Sequence, residues 1–338
     1  MEKPYIQHEG KVVETGDKFK HVMAITLDPK TNFKSGVIRC IKSREGNVEM
    51  KGFIDRSELY KIKGDSLEHF ELDKKLTIKN EEKIISQLAD KGSDFIGLED
   101  PDIWVDEKTN LTHLYFTIPI RPPKDVEDKI KIHLGHAVGS DLDSLEMTMP
   151  ALSDIYSLGA KEVSIAPLNK KGIRYNLVES RDRQTDTTYS IIKIAIAEDM
   201  GKSWEYGDTV FHPKEHNIPW IAGHASPGPL FSKNFINVGE GKSLGIINGR
   251  EANQKIGDKI KYGMFSVGLF IYDYENGKID WVSPEPFIQD SEAKTITFGS
   301  QFIETGSGEG ILYAHVDDSF VRAYTLKAES IKSLLPDR

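Results

Sequence analysis

The stretch YSIIKIAIAEDMGKSWEYGDTVF, residues 189–211, joins an alternating apolar strand to an acid-rich turn and a second strand. The same order of features recurs in residues 130–150 and 266–287, and two of the three copies carry a tryptophan late in the repeat. Four-stranded units that repeat around an axis are typical of a β-propeller. Five blades would average about 68 residues each over this length. We therefore predict an all-β, five-bladed β-propeller, with a β-sandwich as the alternative.

The rest of the chain follows the same pattern of short strands. Runs of four to nine residues rich in Val, Ile, Tyr and Phe are separated by turns such as NKKG and YENGK, which is typical of antiparallel hairpins. Helical spacing with a glycine stop predicts a helix over residues 80–92, and the tail before Pro336 has room for a last helical turn or two. Because no Gly/Ser linker divides the chain, we predict a single domain over residues 1–338.

Composition and charge narrow the class of partner. The net charge is −9, from 53 acidic and 44 basic residues, which argues against nucleic acid and fits a neutral ligand better than a phosphate-rich one. Cys40 is the sole cysteine, so no internal disulfide forms, and its apolar surroundings favour a packing role. No apolar signal segment and no membrane-length apolar window is visible, so we expect a cytoplasmic protein without a membrane partner.

The segment GLEDPDIWVD, residues 97–106, crowds three carboxylates at the mouth of a strand. Pro101 disfavours helical backbone at Asp100 and predicts an extended conformation there. Neighbouring Glu99 and Asp102 would raise the pKa of Asp100, as general-acid catalysis at neutral pH requires. Asp100 is thus a candidate proton donor, and a solvated acidic turn is the alternative interpretation.

Four other segments place polar side chains beside strand ends or among small residues. They are HASPGPL with His224 and Ser226, SLGIINGRE with Asn248, Arg250 and Glu251, VESR with Glu179, and LYAHVDDSFVRA with His315, Asp317 and Asp318. A glycine-rich phosphate loop and paired zinc ligands are both missing from the sequence. We therefore expect neither a metal site nor a cofactor.

The order of these motifs resembles glycoside hydrolase family 130. The segments GLEDPDIW, HASPGPL, SLGIINGRE, FIYDYENGKIDWVSPEPFI and GILYAHVDDSFVRAYTL follow one another as in that family, over roughly residues 90–330. The turn AEDMGKSW is similar to the Asp-box turn of sugar-processing propellers. The match is poor for residues 1–85, the first blade and an N-terminal extension, and better for the remaining blades in residues 86–330. The resemblance implies a five-bladed propeller that cleaves β-mannosides by hydrolysis or phosphorolysis, with inversion.

The resemblance also implies roles for individual residues. Asp100 matches the family's acid, which protonates the glycosidic oxygen by way of a sugar hydroxyl, and Gly228-Pro229 and Asp317 would line the sugar site. The family's cationic phosphate pocket falls on Asp102, Pro167-Leu168, Glu179-Ser180 and Ile247-Asn248-Gly249 in this chain. Because phosphate needs Arg, Lys or amide donors, these departures disfavour a phosphorylase.

We therefore predict an inverting glycosidase that acts on β-mannosides or related oligosaccharides. Its acid would be Asp100, and its base Glu179 or Glu251, since inversion requires a second carboxylate to activate water. The residues expected to bind substrate are Asp102, His224, Ser226, Asn248, Arg250 and Asp317, with Trp220 or Trp104 available to stack on a sugar ring.

Three rival interpretations remain open. A phosphorylase would use other cations, such as Lys170, Lys171 or Arg174. A catalytically inactive propeller would bind a glycan without cleaving it. A five-bladed hydrolase of the family 43 type would need an aspartate in the first strand, which we do not find. Family 130 propellers often assemble, so a homo-oligomer is also compatible with the resemblance.

Overall fold

Antiparallel hairpins build almost the whole chain, because alternating β-branched and aromatic residues favour a pleated, half-buried strand. The computed structural model describes residues 3–123, 130–155, 157–184 and 187–336. Within these ranges the strands of the first two blades and their flanking segments are β1 (Tyr5–Gln7), β2 (Val13–Glu14), β3 (Val22–Leu27), β4 (Ser35–Glu45), β5 (Ile54–Ser66), β6 (His69–Lys75), β7 (Asp94–Phe95), β8 (Glu99–Val105), β9 (Thr112–Arg121), β10 (Lys131–Gly139) and β11 (Glu146–Met147).

The last three blades follow in chain order. Their strands are β12 (Lys161–Ser164), β13 (Arg174–Arg183), β14 (Thr188–Ala197), β15 (Glu205–Phe211), β16 (His224–Leu230), β17 (Lys242–Arg250), β18 (Gln254–Ile256), β19 (Lys259–Lys261), β20 (Phe265–Asp273), β21 (Lys278–Val282), β22 (Thr297–Gly306), β23 (Glu309–Val316) and β24 (Phe320–Lys327). The helices are α1 (Glu81–Leu88) and α2 (Ala328–Lys332), with 3₁₀ turns at Pro29–Thr31, Pro213–Glu215 and Pro219–Ile221.

These strands form five antiparallel blades, β3–β6, β8–β11, β12–β15, β16–β21 without the β18–β19 hairpin, and β22–β24 with β1. The innermost strands β3, β8, β12, β16 and β22 contact one another in a closed cycle. A single bridge between Ser190 and His224 also joins the third and fourth blades into one continuous sheet. A closed cycle of inner strands is the defining feature of a propeller, so the predicted all-β, five-bladed fold is confirmed.

The ring closes through the N-terminal strand. Strand β1 pairs antiparallel with β24, with Tyr5 opposite Leu326 and Gln7 opposite Tyr324, and so forms the outer edge of the fifth blade. Rings of Tyr5 and Tyr324 pack edge to face at 5.9 Å. The last blade is therefore assembled from both ends of the described chain.

The apolar core lies between neighbouring blades. Five large clusters of buried side chains each join one pair of adjacent sheets, as Leu114 does with Val37 and Tyr313 does with Ile38. Sheets that pack face to face around a ring bury both faces of each blade, which explains why strands such as β17 are buried almost without interruption.

Other local predictions also match the structure. The helix expected over residues 80–92 is α1, and the tail contains α2. The three sequence repeats are the outer hairpins β10–β11, β14–β15 and β20–β21. In the turn of the middle repeat, Asp199 Oδ1 accepts a hydrogen bond of 2.9 Å from the backbone N–H of Gly201. No helix within the described ranges is long and apolar enough to span a membrane.

Candidate functional site

A cavity of about 420 Å³ opens where the five inner strands begin. Because adjacent strands of a blade are antiparallel, the start of each first strand lies beside the end of the second. Cross-strand pairs therefore line the cavity together: Met23 with Arg39, Lys161 with Glu179, His224 with Arg250, and Phe298 with His315, while Glu99 and Asp100 start the second blade. Residues far apart in sequence thus meet at one end of the ring.

Arg39 connects the first blade to the two acids that open the second. Its Nη2 lies 2.7 Å from Glu99 Oε1, its Nη1 lies 2.9 Å from Asp100 Oδ1, and its Nε donates to Ser57 Oγ at 2.8 Å. All of these side chains are almost fully buried, so the charges are poorly screened by water. The guanidinium of Arg39 is consequently already paired with carboxylates of the protein.

The backbone at Asp100 differs from the sequence prediction. Its φ is +48°, in the left-handed region, rather than extended. The pairing of β8 with β9 shifts register between Glu99 and Asp102, which marks a bulge at this point. Bulges re-aim side chains beside functional sites, and this one places Asp100 between Arg39 and Lys161.

The expected rise in the pKa of Asp100 was wrong in direction. Burial acts to raise that pKa, but the charges of Lys161, whose Nζ lies 3.3 Å away, and of Arg39 outweigh it and hold the pKa well below its usual range. Asp100 therefore favours the ionised form, and the raised pKa values belong to neighbouring acids. Burial raises the pKa of Glu99 to about 7 despite the opposing charge of Arg39.

A second pair of acids, Glu162 and Glu179, lies on the other side of Lys161. The Nζ of Lys161 is 3.3 Å from Glu162 Oε1. Burial and the adjacent Glu179 carboxylate raise the pKa of Glu162 well above its usual range. Both effects favour the protonated form of Glu162.

His224 fixes the orientation of Glu179. Its Nε2 lies 3.0 Å from Glu179 Oε2, and its ring packs edge to face on Phe265 at 4.8 Å. Burial and the charge of Arg250 hold the pKa of His224 well below its usual range, so the imidazole is neutral. A neutral His224 that donates from Nε2 restrains Glu179 without neutralising it.

Arg250 lies on the same wall and forms no ion pair with any acid in the described part of the chain. Its guanidinium stacks on the rings of Tyr262 at 4.3 Å and Phe265 at 5.3 Å, and only 8% of the residue is exposed. On the neighbouring fifth blade, His315 Nε2 is 3.2 Å from Asp318 Oδ1 and its ring stacks on Phe298 at 5.0 Å.

A strap crosses one side of the cavity mouth. We define it as residues 47–53 of the first blade together with residues 253–262, which contain the β18–β19 hairpin of the fourth blade. The Lys51 backbone N–H donates to Ile260 O at 3.0 Å, and the Tyr262 N–H donates to Glu49 O at 2.9 Å. The strap joins two blades that are not neighbours in the ring, and its residues Val48, Phe53 and Tyr262 line the cavity.

Four of the residues predicted to be catalytic or to bind substrate line the cavity, namely Asp100, Glu179, His224 and Arg250. Asn248 does not, because its amide forms two hydrogen bonds with the backbone of Gly299 at 2.7 and 3.0 Å and holds the fourth blade to the fifth. Ser226, opposite Asn248 in the sheet, is fully buried outside the lining.

Three predicted acids are also absent from the lining. Asp317 Oδ1 accepts backbone N–H groups of residues 294–296 and so fixes the loop before the fifth blade, while the adjacent Asp318 lines the cavity. Glu251 is exposed beyond the end of β17. Asp102 follows the β8 bulge away from the cavity, and burial raises its pKa to about 7.

The aromatic and basic alternatives lie elsewhere too. Trp220 is buried in the core and donates from Nε1 to Ser283 O at 3.1 Å, and Trp104 packs on His113. Arg174 lies over the ring of Trp104, and neither it nor the Lys170–Lys171 turn lines the cavity. Within the described ranges, no group of three or more His, Cys, Asp or Glu side chains is arranged to hold a metal ion.

Three important lining residues escaped the sequence analysis: Arg39, Lys161 and Glu162. Arg39 lies in the first blade, where the family resemblance is poor. Lys161 and Glu162 form the short start of β12 and belong to no motif. The one feature that connects them to the site is the pairing of Lys161 with Glu179. Strand register of this kind cannot be read from the sequence alone.

Comparison with known proteins supports the fold at low sequence identity. No protein-family profile matches the chain, and no curated protein sequence matches it. A β-1,2-mannobiose phosphorylase from Listeria innocua, solved with β-1,2-mannobiose, is similar at a TM-score of 0.62 and 15% identity, covering 98% of this chain and 91% of that one. The resemblance to propellers of the family 130 type is thus confirmed for the fold.

Two further solved structures have the same architecture. MPT-4, a mannose phosphorylase from Leishmania mexicana in complex with phosphate, matches at a TM-score of 0.56 and 13% identity, covering 98% and 92% of the two chains. An endo-arabinase from Bacteroides thetaiotaomicron matches at 0.55 and 15%, covering 94% and 97%. At these identities the likeness is one of fold, so the chemistry must be argued from the cavity itself.

Proposed function

We propose that this protein is a carbohydrate-active enzyme that hydrolyses glycosidic bonds in β-mannosides or related oligosaccharides. The observation that supports this is the pair Asp100 and Glu162, which contact the same Lys161 ammonium but have pKa values displaced in opposite directions. Glycoside hydrolysis requires one protonated and one ionised carboxyl group beside the scissile bond. Two of the proteins with a similar fold are a β-1,2-mannobiose phosphorylase and a mannose phosphorylase, which directs the choice of sugar.

In the proposed mechanism, Glu162 donates its proton to the oxygen of the departing sugar. Asp100, kept ionised by Lys161 and Arg39, orients the attacking water and accepts its proton. Glu179 positions the proton on Glu162, because a second negative charge beside Glu179 is unfavourable. These roles differ from the prediction from sequence, in which Asp100 was the acid and Glu179 or Glu251 the base.

The separation of the two acids is limited by the lysine between them. Asp100 Oδ2 and Glu162 Oε1 are each 3.3 Å from Lys161 Nζ, so these two oxygens are at most 3.3 + 3.3 = 6.6 Å apart. Inverting enzymes place their carboxyl groups roughly 6.5–9.5 Å apart to admit water, and retaining enzymes about 5–5.5 Å. We propose inversion because the family resemblance implies it and the upper limit of the separation lies within the range of inverting enzymes. The anomer of the first product tests whether cleavage inverts or retains the configuration.

The test is a screen of β-mannobioses and manno-oligosaccharides with and without inorganic phosphate. We expect reducing sugar to be released at the same rate in both buffers, and proton NMR to show the α-anomer first. Release of a sugar 1-phosphate only when phosphate is present would overturn hydrolysis. Binding without product in either buffer would favour an inactive glycan-binding propeller.

Phosphorolysis is the second candidate, and Arg250 is the observation that favours it. This buried guanidinium lines the cavity without a carboxylate partner among the described residues, so an anion is accommodated beside it. The remaining buried cations Arg39 and Lys161 are already paired with acids, and a phosphate dianion would have to compete with them. Because of this competition, we propose hydrolysis rather than phosphorolysis as the main function.

A further inference from the structure

The side chain of Arg250 is restrained by aromatic contacts, although it forms no ion pair with a described acidic residue. Its backbone ends β17 opposite His224 and Phe265, and its guanidinium lies over the rings of Tyr262 and Phe265. Contacts with two aromatic rings restrain the position of the guanidinium group in the cavity wall. The side chain is therefore preorganised for a ligand that approaches from the cavity.

The other buried charges that line the cavity have partners among the described residues. Asp55 binds Arg44 at 2.6 and 2.7 Å, and Asp318 pairs with His315. Arg39 and Lys161 bind Glu99, Asp100 and Glu162, as described above. Among the buried lining residues that the structure describes, Arg250 is the one cation outside this network.

The guanidinium also has an orphaned donor. Among the described residues no carboxylate lies within ion-pair distance of Arg250, and its buried Nε has no acceptor. Burial of a charge without a charged partner is strongly unfavourable on general grounds. Burial accordingly lowers the pKa of Arg250 from its ordinary value. An anionic ligand group would relieve this penalty.

We propose that Arg250 binds a carboxylate carried by the substrate itself, which makes the substrate an oligosaccharide that contains a uronic acid. This rests on the proposed function, because it assumes that the cavity accepts a sugar. A carboxylate matches the planar fork of arginine with two parallel hydrogen bonds. Its single negative charge equals the single unpaired cation, whereas a phosphate dianion would leave one charge facing Glu179 and Asp100.

The experiment compares sugars that differ only at carbon 6. D-mannuronate, D-glucuronate and D-galacturonate are titrated into the protein by calorimetry beside D-mannose, D-glucose and D-galactose, and inorganic phosphate is titrated separately. We expect at least one uronate to bind tenfold or more tightly than its neutral counterpart. Arg250→Gln should abolish that preference, and Arg250→Lys should retain part of it because the charge remains but the fork is lost.

Lys171→Gln is the matched control, since Lys171 is an exposed cation outside the cavity lining. This variant should keep the uronate preference. Thermal unfolding of each variant establishes that it is folded, and Arg250→Lys decides the matter should Arg250→Gln fail to fold.

The inference and the proposed function fail in different ways. Equal binding of uronates and neutral sugars, or a preference that survives Arg250→Gln, overturns the inference while leaving neutral oligosaccharide hydrolysis intact. Tight, Arg250-dependent binding of phosphate in place of uronates also overturns it. Arg250-dependent uronate binding without cleavage of any glycoside supports the inference and removes the proposed enzyme.

Discussion

Asp100 and Glu162 contact the same ammonium group, and their surroundings make them chemically opposite. Asp100 gains two cations, Lys161 and Arg39, while Glu162 faces the carboxylate of Glu179. A residue's charge state is therefore set by its neighbours across blades rather than by its own segment. The acids crowded around Pro101 suggested a protonated Asp100 only because the cations come from elsewhere in the ring.

Replacing Glu162 by Gln tests the proposed acid. We expect kcat to fall by about 10²–10⁴-fold, as for loss of a general acid. Because the protonated form of Glu162 is active, the wild-type rate should fall as pH rises through its raised pKa, and the variant should lack this alkaline limb. Profiles of kcat/KM against pH on a cleaved oligosaccharide provide the measurement. A variant that keeps both the rate and the limb would exclude Glu162 as the acid.

The same substitution has a consequence for stability. The pKa of Glu162 is raised in the folded state, so its contribution to the free energy of unfolding is fully present below the ordinary glutamate pKa and is lost as pH rises toward the folded value. Gln does not titrate, so the melting temperature of the variant relative to wild type should increase between pH 5 and pH 8. Glu251→Gln, at an exposed position, should show no such trend. A constant difference across this range would contradict the buried, protonated state.

At the level of elements, strand β1 and the strap carry the features that the sequence could not reveal. The hairpins, the helices and the repeat were predictable because period-two patterning and turn residues are local properties. The pairing of Tyr5 with Leu326 and the contact of residue 51 with residue 260 join distant segments. No local pattern encodes such pairings, which is also why Arg39 was missed at the site.

Strand β1 should stabilise the fold through Tyr5. Its ring packs on Phe287 at 5.8 Å and on Tyr324, and the residue is 8% exposed. Tyr5→Ala should lower the free energy of unfolding by about 3 kcal/mol, as for other buried aromatic truncations. Urea unfolding followed by tryptophan fluorescence measures the change. Ile6→Ala, at a position that is 56% exposed in the same strand, should cost less than about 0.5 kcal/mol.

The strap should limit the length of oligosaccharide that the cavity accepts. Replacing residues 254–261 by a Gly-Gly link removes the β18–β19 hairpin and its contact with residue 51. We expect kcat/KM for a tetrasaccharide to rise relative to that for a disaccharide, because one wall of the mouth is removed. An unchanged ratio in a folded variant would show that the strap does not contact the bound chain. Lys255→Ala, an exposed change within the hairpin, is the control.

At the scale of the whole molecule, each blade packs on two neighbours through its own apolar cluster. Removing one blade would expose two such interfaces, so the ring should unfold as a unit. We expect calorimetry to show one transition whose measured enthalpy equals the van't Hoff enthalpy. Two resolved transitions would contradict the single domain predicted for residues 1–338. In that case we would expect the first blade, which matches the family 130 pattern poorly, to unfold separately from the other four.

Completion of the fifth blade also has a consequence for synthesis in the cell. Strand β1 leaves the ribosome before the other strands of the ring, and its partner β24 is translated about 320 residues later. Polypeptide emerges at roughly 5–20 residues per second, so β1 remains an unpaired edge for tens of seconds. Nascent chains should therefore depend on chaperones until the final hairpin is released, and a stalled ribosome would leave an open, aggregation-prone ring.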